Sequence, residues 1–299
     1  MGNCLKTKVQ MYRKRNWENA LLDIKSVDNY FSKDESCEAM KDFKGSGGFP
    51  FKTNKGRFIK VIMKNKRNIH FRVMMNLKAL QKNCNNETYL LLPDKYVETE
   101  YAIHFHYPYC ELDMIHYLNN TKIKPNDRNK IMMHLLDAVE YMHDKGYVHK
   151  DIKLDNILFR NGQPVLCDCD FSLRDNVYSF KGTRDYMASQ AVIQCLFDKR
   201  KDLSMSLKNK WMDCYALGKT FAKILSVKKS KDIETTHLWD KWTNIAQVSI
   251  RSFTIDEENF ILKSKWWKVV FWFCKYNEEY VFSKRNEYFW SIKKVKHFI

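Results

Sequence analysis

The 299-residue chain has little of what breaks structure: 9 glycines and 5 prolines. That scarcity argues against long flexible linkers and favours one large domain or two lobes with an ample core. No apolar run approaches the roughly twenty residues a bilayer-spanning helix needs, and the start of the chain holds no apolar signal core. The expectation is an intracellular, cytoplasmic or nuclear protein in a reducing compartment. Nine cysteines are present but scattered, with no CxxC pair to suggest zinc. Cys167-Asp168-Cys169 is the closest spacing, and it reads as strand residues rather than metal ligands. Negative charge is also short: 52 lysines and arginines face 35 acids, a net charge of +17. Such an excess favours acidic partners, whether nucleic acid, anionic membrane or acidic protein segments. The lysines run along the whole chain, so a generally solvated basic surface is the simpler reading. Hydrophobic content of 44% and aromatic content of 14% fit a packed fold.

What is present is organised around Tyr147 to Phe159, YVHKDIKLDNILF. Asp151 and Asn156 lie five residues apart with Lys153 between them, and Asp170-Phe171-Ser172 follows a short apolar strand. A basic loop that happens to contain Asp and Asn accounts for any one of these. It does not account for His149, Asp151, Lys153, Asn156 and Asp170 at this spacing, between a helix and a strand. The pattern resembles the catalytic loop of eukaryotic protein kinases, H-R-D-x-x-x-x-N followed by D-F-G, here HKDIKLDN and DFS. The resemblance implies that Asp151 orients the attacking hydroxyl and Lys153 neutralises the moving phosphoryl group. It implies that Asn156 and Asp170 are magnesium ligands, that His149 is a supporting residue, and that ATP and Mg2+ are the cofactors.

Upstream, Gly45-Ser46-Gly47-Gly48 resembles the glycine-rich loop over the nucleotide phosphates, with Pro50 in place of the third glycine. A hairpin turn would use the same residues. FIKVIMK follows and alternates as a strand should; it resembles the third kinase strand and makes Lys60 the phosphate-pairing lysine, with Lys64 the runner-up on the same face. Arg67 to Lys82 shows a helical stripe of Ile69, Val73, Leu77 and Leu80. In the family this helix supplies a glutamate to the strand lysine; here it has no acid, and Glu87 falls in the loop beyond. Tyr89 to Leu92 and Tyr101 to Phe105 read as two further strands. They lead to a hinge at Pro108 to Cys110, where the backbone would meet adenine. Asp113 is read as a helix N-terminal carboxylate ahead of a ribose contact.

Asp127 to Lys145 is a helix with Ile131, Leu135, Val139 and Met142 on its core face, ending at Gly146. After Asp170, GTRDYMASQ resembles the end of an activation segment, with Ser189-Gln190 replacing Pro-Glu and Arg285 the matching late arginine. Ser179 and Thr183 are candidate phosphorylation sites, although Lys150 replaces the usual loop arginine. DCYALG, from Asp213, resembles the start of the next long helix, whose aspartate braces the catalytic loop; an ordinary helix N-terminal Asp is the alternative. KWWKVVFWFCK (Lys265 to Lys275) has Trp267, Val270, Phe271 and Cys274 at helical spacing and reads as core, not as a base-stacking surface.

The resemblance covers about residues 40 to 299 and implies an α+β, two-lobed protein-kinase fold. A small antiparallel-sheet N-lobe (about 36–107) and a hinge (108–110) lead to a larger, mainly helical C-lobe (111–299). Residues 1–35 read as a basic extension, in which Gly2 and Cys4 followed by lysines and arginines resemble an acylated membrane anchor, with Lys6 departing from the acylation pattern. The implied activity is transfer of the ATP γ-phosphate to serine or threonine hydroxyls of a protein substrate, since Lys153 is a position that tyrosine kinases do not fill with lysine. The worn motifs resemble a divergent kinase of viral type. A pseudokinase scaffold, and a basic binder of nucleic acid or membrane built on a kinase platform, are the competing readings.

Overall fold

The computed structural model describes residues 17–27, 31, 35–40, 48–64, 69–84, 86–121, 123–226, 264–276, 281 and 291–299. The chain divides into two compact units, Met1–Lys78 with Leu91–Tyr109, and Ala79–Leu90 with Cys110–Ile299.

The first unit begins with a helix over residues 17–25, α1. Strands β1 (Cys37–Ala39), β2 (Phe49–Thr53) and β3 (Arg57–Met63) follow, then helix α2 (Ile69–Asn83), which runs into the second unit. Strands β4 (Lys95–Glu98) and β5 (Ala102–Pro108) complete a five-stranded antiparallel sheet of order β1-β2-β3-β5-β4. Alternation along β3 sends Ile59 and Val61 to one face and Lys60 and Ile62 to the other. The first face is closed by α1: Ala20 and Ile24 pack with Phe51, Ile59, Val61 and Ala102 in a fully buried cluster, and Trp17 stacks edge-on against Phe49 and Phe51 at 5.0 and 5.5 Å. Burying a side chain the size of Ile24 contributes about 1.5–3 kcal/mol. Part of the stretch read as a basic extension is therefore core.

A buried polar knot fixes the same contact. Asp23 Oδ2 accepts the Thr99 hydroxyl at 2.7 Å and faces His104 Nε2 at 2.7 Å, both inside the unit. Burial pulls the His104 imidazole below its usual range against the opposing pull of Asp23, so a neutral ring donates to the carboxylate.

Tyr89 to Leu92 is not the strand that its apolar run suggested. Leu90, Leu91 and Leu92 are all buried, without alternation, and Leu90 makes only an isolated parallel bridge to Leu166. Pro93 follows and has no N–H to offer a ladder; the strand forms beyond it, at β4.

In the second unit, β6 (Leu112–Asp113) and α3 (Met114–Asn120) follow the stretch that includes the end of α2. Asp113 is the N-cap of α3, accepting the His116 amide at 2.7 Å. Helix α4 (Pro125–Asp144) has Pro125 at its start, where a missing N–H costs nothing. Its face of Ile131, Leu135, Val139 and Met142 is buried, and Gly146 leaves it at φ +76°. Strands β7 (Tyr147–Val148), β8 (Ile157–Arg160), β9 (Gln163–Leu166) and β10 (Leu173–Arg174) frame the central loops. β10 pairs with β7, and β6, β8 and β9 form a small sheet. Among the described residues, helices α5 (Gln190–Gln194), α6 (Met205–Ser226), α7 (Lys265–Phe271) and α8 (Ile292–Phe298) follow. Trp267, Val270, Phe271 and Cys274 are buried, as expected for core. No described helix is long and apolar enough to cross a membrane.

Candidate active site

The loop between β7 and β8 carries the site, and α6 holds the loop. Asp213 lies more than two turns inside α6, not at its start as either sequence reading had it. It is fully buried, with the His149 amide donating to Oδ2 at 2.8 Å and the Lys150 amide to Oδ1 at 2.9 Å. His143 Nε2, from the end of α4, adds a third bond at 3.0 Å. Burial alone would push this carboxyl up; the His143 bond and charge, with the His149 contact, hold it below the usual range. Lys150 needs these bonds because it sits at φ +72°, a conformation unfavourable to a side-chain-bearing residue.

His149 is fully buried and accepts the Asp151 amide on Nδ1 at 3.3 Å, so Nε2 carries the proton toward the Cys167 carbonyl at 3.1 Å. It thereby ties the loop to the segment that delivers Asp170. Asp151 is 3% exposed. Its Oδ2 receives Lys153 Nζ at 2.9 Å and Asn156 Nδ2 at 3.0 Å, and its Oδ1 receives the Thr183 hydroxyl at 2.7 Å. Burial raises the Asp151 carboxyl, but the bonds from Lys153 and Thr183 and the nearby positive charge outweigh it and leave it below the ordinary value. The group is thus an ionised, oriented acceptor.

Thr183, read from sequence as a phosphorylation site, has its hydroxyl committed: it donates to Asp151 and accepts Lys153 Nζ at 2.8 Å. Gly182 makes this approach possible. It adopts φ +148°, and a Cβ there would stand 2.9 Å from the Lys150 carbonyl oxygen. Tyr186 closes the same turn, its hydroxyl accepting the Leu154 amide at 3.4 Å. Ser189, in place of the family proline, caps α5 by accepting the Val192 amide.

Asn156 spends its amide nitrogen on Asp151, at both the carbonyl and Oδ2, which commits its donor end to the protein and leaves oxygen as the chemistry available for a cation. Asp170 is 8% exposed and follows Asp168, which turns the chain through φ +55°. Ser172, where the family has glycine, adopts φ −62°, ψ 142°, so the backbone does not require glycine there; its hydroxyl reaches the His149 carbonyl at 3.4 Å. Among the described residues no group of three or more His, Cys, Asp or Glu could hold a metal alone. One amide oxygen and one carboxylate suit magnesium that arrives with nucleotide phosphates, because that ion keeps few protein ligands.

In the first unit, Lys60 stands on the sheet face opposite α1, paired in register with Phe105 and Pro50. Gly48 packs on it: a Cβ at Gly48 would meet Lys60 Cγ at 3.0 Å and the Val61 carbonyl oxygen at 3.0 Å. Lys64, the alternative, is engaged elsewhere, with Nζ 2.6 Å from the Thr99 carbonyl and 2.9 Å from Glu98. No acidic residue occurs in α2, and Glu87 pairs with Arg160 at 2.9 Å. Pro108 ends β5 and Cys110 opens the longer stretch of the second unit; burial pushes the Cys110 thiol up to about 11. Gly45, Ser46, Gly47, Arg285, Gly2 and Cys4 lie outside the described residues. Asn209 was missed in the sequence; the available signal was its place one turn before Asp213 on the same helix face.

The protein kinase domain family model matches residues 50–286. With that match over most of the chain, and the sheet unit and helical unit described above, the chain belongs to the eukaryotic-type protein kinase superfamily. Among curated relatives, it is 31% identical over 85 residues to a probable serine/threonine-protein kinase of Encephalitozoon cuniculi, a match over 28% of this chain and 16% of that protein. It is 31% identical over 107 residues to serine/threonine-protein kinase PknA of Nostoc, covering 35% and 19%. To serine/threonine-protein kinase fused of Drosophila melanogaster it is 27% identical over 154 residues, covering 44% and 18%. The matched region spans under a fifth of each of these relatives.

Proposed function

We propose that the protein is an active serine/threonine kinase that moves the γ-phosphate of ATP to a hydroxyl of a protein substrate. The observation that carries this reading is the environment of Asp151: an ionised carboxylate and the Lys153 ammonium converge on one aliphatic hydroxyl, that of Thr183. A second hydroxyl of the same chemical kind, brought in by a substrate, would find an acceptor for its proton and a cation beside the oxygen. Lys153 then offsets charge that builds on the moving group. Asn156 and Asp170 are the residues that would hold magnesium, which when bound neutralises the phosphates. Lys60 is the residue assigned to the phosphates. The serine/threonine relatives, and a lysine at position 153, favour an aliphatic over a phenolic acceptor.

A scaffold without activity is the second reading, favoured by the lack of an acid in α2. The test is transfer from labelled ATP and magnesium to an acidic and a basic generic protein, beside Asp151→Asn. The expected result is transfer by the natural chain and a fall of about 10²–10⁴-fold in the variant. Persistent transfer by Asp151→Asn would sink the catalytic assignment. Nucleotide binding without transfer by either protein would put the scaffold reading first.

A further inference from the structure

We propose that Asn209 is a positioning residue that pins the start of the activation segment to the catalytic loop through bonds that require no phosphate, so that segment placement is independent of phosphorylation. The inference rests on the kinase reading and concerns its regulation.

Asn209 lies on α6 one turn before Asp213 and is fully buried. Its Oδ1 accepts Lys150 Nζ at 2.8 Å. Its Nδ2 donates to the carbonyls of Asp175 at 2.7 Å and Val177 at 2.8 Å. One acceptor and both amide hydrogens are therefore used, each on a different part of the site. Asp213 grips the backbone of the loop, while Asn209 grips its Lys150 side chain and the segment beyond β10. The two positions divide one task along one helix face.

Asp175 is held further by neighbours. Its Oδ2 receives the Ser206 hydroxyl at 2.6 Å and Lys210 Nζ at 3.1 Å, both from α6, and its amide donates to the Gly146 carbonyl at 2.9 Å. Beyond it, Tyr178 and Phe180 meet each other at 4.7 Å and pack on Phe197 at 5.3 and 4.8 Å. The segment is thus fixed by amide, hydroxyl, carboxylate and ring contacts.

Lys150 stands where the family pattern has arginine. Here its ammonium points inward, is 5% exposed, and rests on the Asn209 amide oxygen and the Met212 sulfur, 3.5 Å away. It is not presented to solvent. Two of its three donors are spent on Asn209 and Met212 inside the fold.

The test uses the full chain, treated with phosphatase and checked by intact mass. Protein-substrate kinetics and hydrogen exchange of residues 176–181 are then compared with those of untreated protein and of Ser179→Ala. The expected result is rates within about twofold and equal exchange. A fall of tenfold or more on dephosphorylation, reversed by preincubation with ATP, would overturn the proposal. Asn209→Asp keeps the acceptor and removes both donors. It is expected to speed exchange across 176–181 and to raise KM for the protein substrate about tenfold, while intrinsic ATP hydrolysis and KM for ATP hold. Asn209→Leu is expected to do the same more strongly if it folds. Unchanged exchange in Asn209→Asp would refute the brace, and a parallel decline of every parameter would mark a merely structural residue. If the natural chain transfers no phosphate, the kinase reading fails, and the exchange comparisons still decide the brace.

Discussion

The helical unit and the sheet unit secure their active groups by different means. Around Asp151 almost every constraint is a bond to the backbone or between short side chains, and one carboxylate, Asp213, serves two amides and a histidine. In the sheet unit, Lys60 is placed by strand register and by Gly48 beneath its stem, while α2 has no acid to meet it. On the sheet side the departure removes the acid of an ion pair, whereas in the helical unit Lys150, Ser172, Ser189 and Gln190 depart from the family pattern and the bonds to Asp213 are all in place. Replacing one end of a single ion pair loses one interaction. Replacing Asp213 would strand two buried N–H groups, those of His149 and Lys150, each costing about 1–3 kcal/mol.

The largest expected effect follows from that asymmetry. Asp213→Ala should lose about 3 kcal/mol or more of stability and all measurable transfer; a urea midpoint within error of the natural chain would erase the contrast. On the sheet side, Lys60→Met should lower kcat/KM about 10²-fold, whereas Lys64→Met should cost under about 1 kcal/mol of stability and leave transfer intact. Equal losses in the two lysine variants would mean that the wrong lysine has been assigned. Gly182→Ala places a methyl against the Lys150 carbonyl at an unfavourable φ, and chemical unfolding should show a loss of about 1–3 kcal/mol.

The smallest effect is a pH slope. Burial pulls the Lys150 ammonium from 10.5 down to about 8, against the opposing pull of Asp213. Between those values the unfolded chain binds more protons than the folded one, so this group makes stability rise with pH. Lys150→Met lacks that rise. The natural chain should therefore gain on the variant as denaturation is followed from pH 8 to pH 10, and a constant difference would remove the assignment.

Much of the helical unit was legible in the sequence because its signals are local. HKDIKLDN is a fixed spacing, and the stripe of α4 shows at 3.6-residue periodicity. The long-range partners were not legible. Thr183 reads as a free hydroxyl until the chain folds it onto Asp151, and Asn209 reads as one polar residue among several lysines. Asp213 was recognised by its motif but misplaced along its helix, because the residue that caps α6 is Ser204, nine positions upstream, whose hydroxyl accepts the Leu207 amide at 3.2 Å. α1 was missed for a different reason: its apolar face is short and follows a strongly basic stretch, so composition concealed it. Tyr89–Leu92 misled in the opposite direction, since burial on all sides mimics a strand without a ladder.

The packing of α1 decides where this protein can be cut. The family match opens at residue 50, downstream of α1 and β1. A chain trimmed to that boundary would strip Trp17, Ala20 and Ile24 from Phe51, Ile59 and Val61 and leave His104 without Asp23. An apolar sheet face of that kind, once bared, is an association surface. Solubility would fail before catalysis could be measured, and a trimmed protein that precipitates would say nothing about whether the missing acid in α2 matters.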